Sequence, residues 1–193
     1  LFRSVKYAEA NGVLLVHAAG NDAKNLDSSY NFPTPNLLDG KKPNNWITVG
    51  ASGDPKAGGL TASFSNYGKK EVDVFAPGVK IYATVPGGNT YQNLQGTSMA
   101  SPMVAGVAAV IRSYYPQLTA EQVKKVIMDS CTKNNGKVKK PCTKGELVPF
   151  SDLSVTGGNV NVYEAIKLAS KTKGKKKIKS MDNNGGIDRK SVV

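Results

Sequence analysis

The segment Gly96-Thr97-Ser98-Met99-Ala100-Ser101-Pro102 puts a serine at a turn that leads into a long apolar run. At the start of a helix the first-turn N–H groups point outward unpaired, and the positive end of the dipole favours an anion beside the hydroxyl. Gly96 permits close approach of a substrate carbonyl, Ala100 leaves space behind the serine, and Pro102 is expected in the first turn, where its missing N–H costs nothing. Acyl transfer needs this combination of an exposed hydroxyl and a backbone donor aimed at the developing oxyanion. A serine before a helix is more often only a cap, so the segment alone does not decide. A second element, Ala18-Ala19-Gly20-Asn21, closes the apolar run Val13–Ala18. Ligand sites of open α/β sheets gather at the carboxyl ends of strands, and an asparagine there can offer its NH₂ group as a second oxyanion donor. Taken alone, that asparagine reads as an Asx turn.

These residues need elements to hold them. Leu1, Val5 and Ala8 recur at helical spacing, and Asn11-Gly12 supplies a stop. Val13–Ala18 and Trp46–Ala51 are short continuous apolar runs, as expected of strands covered on both faces. Helix, stop and buried strand make half of a βαβ crossover, so the sequence is expected to enter a domain partway through. Shorter β-like runs lie at Leu60–Phe64, Val72–Phe75 and Val79–Val85, separated by Asn66-Tyr67-Gly68 and Pro77-Gly78. The span from Ser98 to Tyr114 is apolar nearly all round and predicts a helix in the middle of a core. Thr119 and Gln122 form a capping box for the next helix, and Asn161 caps a last one. The whole predicts an α/β fold with a parallel sheet.

A formal charge of +12 over 193 residues invites a nucleic-acid reading. Its distribution argues otherwise. Residues 131–144 hold 5 of the 26 basic residues, and residues 171–193 hold 8 more. Without those two segments 13 basic and 12 acidic residues remain, so the body is near neutral. Neither segment interleaves aromatics that would stack on bases, which disfavours nucleic acid. No stretch approaches the ~20 apolar residues of a membrane span. Cys131 and Cys142 bracket a polar loop without four-ligand zinc spacing, and a disulfide closing that loop is expected, with two free thiols as the alternative.

GTSMASP followed by Val104-Ala105-Gly106 closely resembles the nucleophile motif of the subtilisin-like serine proteases. AAGN resembles that family's oxyanion-hole strand. WITVGAS, ASFSNYG, EVDVFAPGVKI and GGNVNVYEAIKLA follow in the family's order, so the resemblance runs from Leu1 to Ala169 and leaves residues 170–193 as a lysine-rich tail expected to be disordered. The resemblance implies a three-layer, parallel-sheet subtilisin-like α/β fold, represented by its C-terminal portion. It implies Ser98 as nucleophile and the Ser98 N–H with the Asn21 amide as oxyanion hole. Ala18, Ala19, Gly20, Gly96 and Thr97 would line the substrate pocket. Phe32-Pro33 becomes a candidate cis bond, and Met103 stands where relatives often have a non-catalytic histidine. Glu71 and Asp73 match positions near a weak cation site in some relatives. They read here as surface carboxylates, so no metal is assigned, no cofactor is needed for the chemistry, and a structural calcium is not assignable.

In this family the triad runs Asp, His, Ser along the chain, so both partners of Ser98 should precede the AAGN strand. Neither motif is present, and the sole histidine, His17, reads as a sheet-packing residue. The chain alone is therefore expected to be inactive. Its implied partners are a peptide or protein substrate and either the N-terminal half of the catalytic domain or a second copy. A secreted or periplasmic parent is implied. The alternative is a non-catalytic module that binds a partner or polyanion through the basic loop and tail.

Overall fold

The computed structural model describes residues 2–54, 56–141 and 145–175. Helix α1 (Phe2–Ala10) stops at Asn11, whose side chain donates to Tyr7 O, and at Gly12 with φ 67°. Strand β1 (Leu15–Ala18) follows, then a long loop to β2 (Trp46–Asp54). Next come β3 (Ala57–Thr61), β4 (Val74–Pro77), β5 (Ile81–Val85) and β6 (Thr90–Leu94). Helices α2 (Thr97–Tyr114) and α3 (Ala120–Asp129) lead into short strands β7 (Thr132–Lys133), β8 (Lys137–Lys139), β9 (Leu147–Pro149) and β10 (Gly158–Asn159). Helix α4 (Val162–Lys171) closes the described chain.

One sheet organises everything. Its order is β1-β2-β4-β10-β7, with β3 also paired to β2. The first three junctions are parallel, whereas β7 and β3 run antiparallel to their neighbours. Strand side chains alternate between faces, and here both faces are covered. On one face Ile47, Val49, Ala51, Val74 and Ala76 pack on the alanines and valines of α2, on Val123 and Ile127 of α3, and on Ala165 of α4. On the other, Trp46 meets Val5 of α1 and Leu37, while the rings of Phe75 and Phe150 meet at a tilt of 51° with centroids 5.1 Å apart. Gly50 makes room for that ring, since a Cβ there would lie 2.7 Å from Phe75. Helices on two sides of a parallel-dominated sheet give the expected three-layer α/β arrangement.

Both expected caps form. Thr119 Oγ1 accepts from Gln122 N and Gln122 Oε1 accepts from Thr119 N, each at 3.2 Å, and Asn161 Oδ1 accepts from Glu164 N. The Phe32-Pro33 bond is cis. Four readings are corrected. Strand β3 starts three residues before Leu60 and ends before Phe64. Strand β6, paired with β5 in a hairpin of its own, had no counterpart in the sequence reading. Helix α2 starts at Thr97 with Gly96 as its N-cap, so Pro102 stands in the second turn rather than the first. Cys131 is a free, buried thiol that donates to Ile127 O, and burial pushes its pKa up to about 11. The bridge expected from it is therefore not shown. Cys142 and residues 176–193 of the lysine-rich tail lie outside the described residues. No helix among the described residues is long and apolar enough to cross a membrane.

Candidate active site

The parallel pairing of β1 with β2 carries Ala18 level with Val49, and Ala19 N still donates to Val49 O. The chain then turns at Gly20, with φ 100°, where a Cβ would lie 2.5 Å from Asn66 Nδ2 and 3.0 Å from Asn31 Nδ2. Glycine is the residue that fits. The turn brings Asn21 to the start of α2. Ser101 Oγ, one turn into that helix, donates to Val16 O at 3.3 Å and ties α2 to β1.

At the junction the hydrogen bonds have a fixed direction. Gly20 N–H donates to Thr97 Oγ1 at 3.0 Å, and the Thr97 hydroxyl donates in turn to Asn21 Oδ1 at 2.9 Å. Thr97 N–H also donates to Asn21 Oδ1 at 2.9 Å. A backbone N–H cannot accept, so the Asn21 atom facing Thr97 is the oxygen, and the Nδ2 group is turned the other way. It points to where Ser98 also points. A Cβ built on Gly96 would lie 3.4 Å from Asn21 Nδ2 and 3.2 Å from Ser98 Oγ. Ser98 is exposed, and its hydroxyl caps nothing, because the N-cap is Gly96. Met99 N and Ala100 N donate to Gly96 O, and Thr97 N to Asn21, which leaves the Ser98 N–H as the first-turn donor without an acceptor among the described residues.

The sequence-read residues therefore assemble at one place. Ala18, Ala19, Gly20 and Asn21 come from the end of β1, and Gly96, Thr97 and Ser98 from the start of α2. Gly78 contributes a close contact that the sequence reading did not assign: its carbonyl accepts from Gly96 N at 2.8 Å, and a Cβ on it would meet Ala51 at 2.7 Å. Asn66 was missed as well. Its only sequence signal was its place in ASFSNYG.

Glu71 and Asp73 are engaged by ammonium groups. Lys42 Nζ lies 2.6 Å from Glu71, and Lys124 Nζ lies 3.6 Å from Asp73, whose other oxygen accepts from Thr48 N. No group of three or more His, Cys, Asp or Glu side chains that could hold a metal ion occurs among the described residues. The pair does not fit a cation site. Desolvation raises the pKa of Asp73, against the pull of Lys124.

The arrangement has relatives. The model of the subtilase family matches residues 2–145. This chain belongs to the subtilase family. It is 42% identical over 133 residues to subtilisin DY of Bacillus licheniformis, a match that covers 68% of this chain and 44% of that protein. It is 39% identical over 129 residues to the thermostable alkaline protease of Halalkalibacterium halodurans, covering 67% and 32%. The chain thus spans less than half the length of either relative. Among solved structures, the self-cleaved protease domain of PatA aligns with a TM-score of 0.62 and 28% identity, over 89% of this chain and 55% of that one. The prenylagaramide maturation protease PagA aligns with a TM-score of 0.63 and 27% identity, over 86% and 54%.

A subtilase centre needs a base beside its serine, and His17 is not placed as one. Leu14 and Val16 pack toward α2, so His17, one residue on, faces the opposite side of the sheet. Its ring lies 5.0 Å from Trp46, in a small cavity lined also by Asn31, Thr48 and Glu71. Burial lowers its pKa to about 4, far from the value near operating pH that suits a general base.

Proposed function

We propose that this chain supplies the nucleophile side of a serine endopeptidase centre. The Ser98 oxygen attacks a peptide carbonyl carbon, and its proton passes to a base. The carbonyl oxygen, now negative, takes the Ser98 N–H and the Asn21 Nδ2–H. Collapse expels the amine, which recovers the proton, and water then hydrolyses the Ser98 ester. Gly96 keeps a side chain away from the Ser98 hydroxyl and the Asn21 NH₂ group, and Ala18 and Gly20 border the approach. Ala19 and Thr97, expected to line the substrate pocket, are 0% and 1% exposed and act only by supporting it. One observation carries this reading: the Ser98 hydroxyl and the Asn21 NH₂ group lie within 3.4 Å of a single point that Gly96 keeps empty.

The base and its orienting acid belong, in this reading, to polypeptide beyond the present sequence, since its one histidine faces the wrong side of the sheet. The outer side of α2 supports a covering partner. Met103, Val110 and Tyr114 are 45%, 36% and 74% exposed, and with Pro102, Ala105, Gly106 and Ala109 they form an uncharged outer face. A helix that is apolar all round is usually buried. Beside it, β1 pairs with β2 alone among the described residues and so presents a free edge there. An N-terminal half bearing Asp and His would cover both. A secreted or periplasmic place of action goes with this reading and rests on the family resemblance.

The test uses a fluorophosphonate probe on the chain joined to, or reconstituted with, a subtilase N-terminal segment that bears the Asp and His motifs. Ser98 should be labelled, and labelling and peptidase activity should vanish in Ser98→Ala. Unlabelled Ser98 in a folded, reconstituted protein would overturn the proposal.

A further inference from the structure

Asn66 stands between β3 and β4, is 1% exposed, and spends its side chain and its backbone N–H on one short segment. Its Oδ1 accepts from Asp22 N at 3.1 Å and from Lys24 N at 2.8 Å. Its Nδ2 donates to Ala19 O at 2.8 Å, and its backbone N donates to Gly20 O at 2.9 Å. The four contacts bracket Asn21 on both sides. Asn66 is itself tied to the core, because Ser65 Oγ donates to Asn66 O and accepts from Ala51 N of β2. The segment needs such support. Ala23 has φ 53°, a left-handed conformation that a non-glycine residue holds only when its surroundings enforce it, and Ala23 N is pinned to Phe64 O.

We infer that Asn66 is a positioning residue for the reaction, holding the loop 19–24 so that the Asn21 NH₂ group meets the oxyanion. The inference rests on the proposed roles of Ser98 and Asn21. Thr97 fixes which way the Asn21 amide faces, and Asn66 fixes where its Cα stands. No other side chain bonds to both Asp22 N and Lys24 N among the described residues. Without Asn66 those two N–H groups lose their acceptor, the left-handed turn loses its template, and Asn21 is free to drift. A donor misplaced by about 1 Å can cost on the order of 10² in rate.

A double-mutant cycle on the joined or reconstituted enzyme separates positioning from general stability. Asn66→Ala should lower kcat by roughly 10- to 100-fold and leave KM within about twofold. In an Asn21→Ala background, where no NH₂ group remains to be positioned, the same change should lower kcat by no more than about threefold. Asn66→Asp keeps the acceptor for Asp22 and Lys24 but sets a carboxylate oxygen against Ala19 O at a site that is 1% exposed. It should lower kcat by roughly 3- to 30-fold, again less in the Asn21→Ala background, and it serves for the cycle if the alanine variant does not fold. A loss of kcat that is equal in both backgrounds, or a rise in KM alone, overturns the inference. A parent in which Ser98→Ala or Asn21→Ala leaves turnover unchanged instead defeats the underlying assignment, and the inference falls with it.

Discussion

Asn21 and Thr97 are joined through a single oxygen: Asn21 Oδ1 accepts both the backbone N–H and the hydroxyl of Thr97, each at 2.9 Å. The bonds do two jobs. They satisfy a first-turn donor of α2 that no side-chain cap serves, and they turn the Asn21 NH₂ group toward Ser98. Thr97→Val keeps the shape and removes the hydroxyl. Gly20 N–H then loses its acceptor, and one of the two bonds orienting Asn21 is gone. Turnover in the reconstituted enzyme should fall about tenfold, and urea unfolding should show a loss of about 1–2 kcal/mol. Unchanged turnover would mean that the backbone N–H alone suffices.

Gly96 supports a sharper prediction. Its φ of 151° lies in the region that side-chain-bearing residues rarely adopt, and a Cβ would lie 3.2 Å from Ser98 Oγ and 3.4 Å from Asn21 Nδ2. Gly96→Ala should therefore act on conformation and on the site together. The expected stability loss is about 1–3 kcal/mol. The rate of Ser98 labelling should fall by at least the 10²–10³-fold that loss of one oxyanion donor costs in this family. A variant that keeps the parent labelling rate would show that a side chain at position 96 does not disturb the Ser98 and Asn21 groups.

How far the sequence reveals all this depends on the range of the forces involved. The capping box at Thr119 and Gln122 spans three residues and is complete in local sequence, as is the Asn161 cap. The runs that became β1 and β2 stand out because a strand covered on both faces must be apolar throughout. Strand β6 gave no such signal, since all five of its residues are exposed and no apolar alternation marks them. Only the family resemblance brought Asn21 to the site of Ser98, and the bonds that join it to Thr97 across 76 residues left no trace in the sequence. Asn66 bonds to partners 42 to 47 residues away, and nothing in an Asn-Tyr-Gly turn reveals that its side chain points inward.

The exposed side of α2 gives a test of assembly that is independent of catalysis. Val110 is 36% exposed in this chain and lies three turns beyond Ser98, so a change there touches no group of the site. Val110→Asp should leave the fold of this chain intact, with a stability change within about 0.5 kcal/mol. It should weaken capture of a separately added N-terminal half by at least about tenfold, because a carboxylate would be buried without a partner. Titration of activity against the concentration of the added half reads this directly. Equal titration curves would show that the α2 face is not the joining surface.

His17 sets a pH dependence whose sign follows from its burial. Its Nδ1 is buried without a hydrogen-bond partner among the described residues, and desolvation lowers its pKa to about 4. In the unfolded chain the value returns to about 6.5. Above pH 6.5 the ring is neutral in both states and contributes nothing. Between pH 6.5 and 4 the unfolded chain takes up a proton that the folded protein refuses, so stability falls as the pH drops, and below pH 4 the effect levels off. The full shift would correspond to about 3 kcal/mol. Partial exposure of the ring reduces the expected loss to about 1–2 kcal/mol. His17→Phe keeps a ring against Trp46 and removes the titration. Carboxylates such as Asp39, held low by Lys6, also lose stabilising contacts on acidification, so the parent and variant are compared at each pH. The difference in urea midpoint between them should shift in favour of Phe by the equivalent of about 1–2 kcal/mol between pH 7 and pH 4.5. A constant difference across that range would mean that the folded protein protonates His17 as readily as the unfolded chain does.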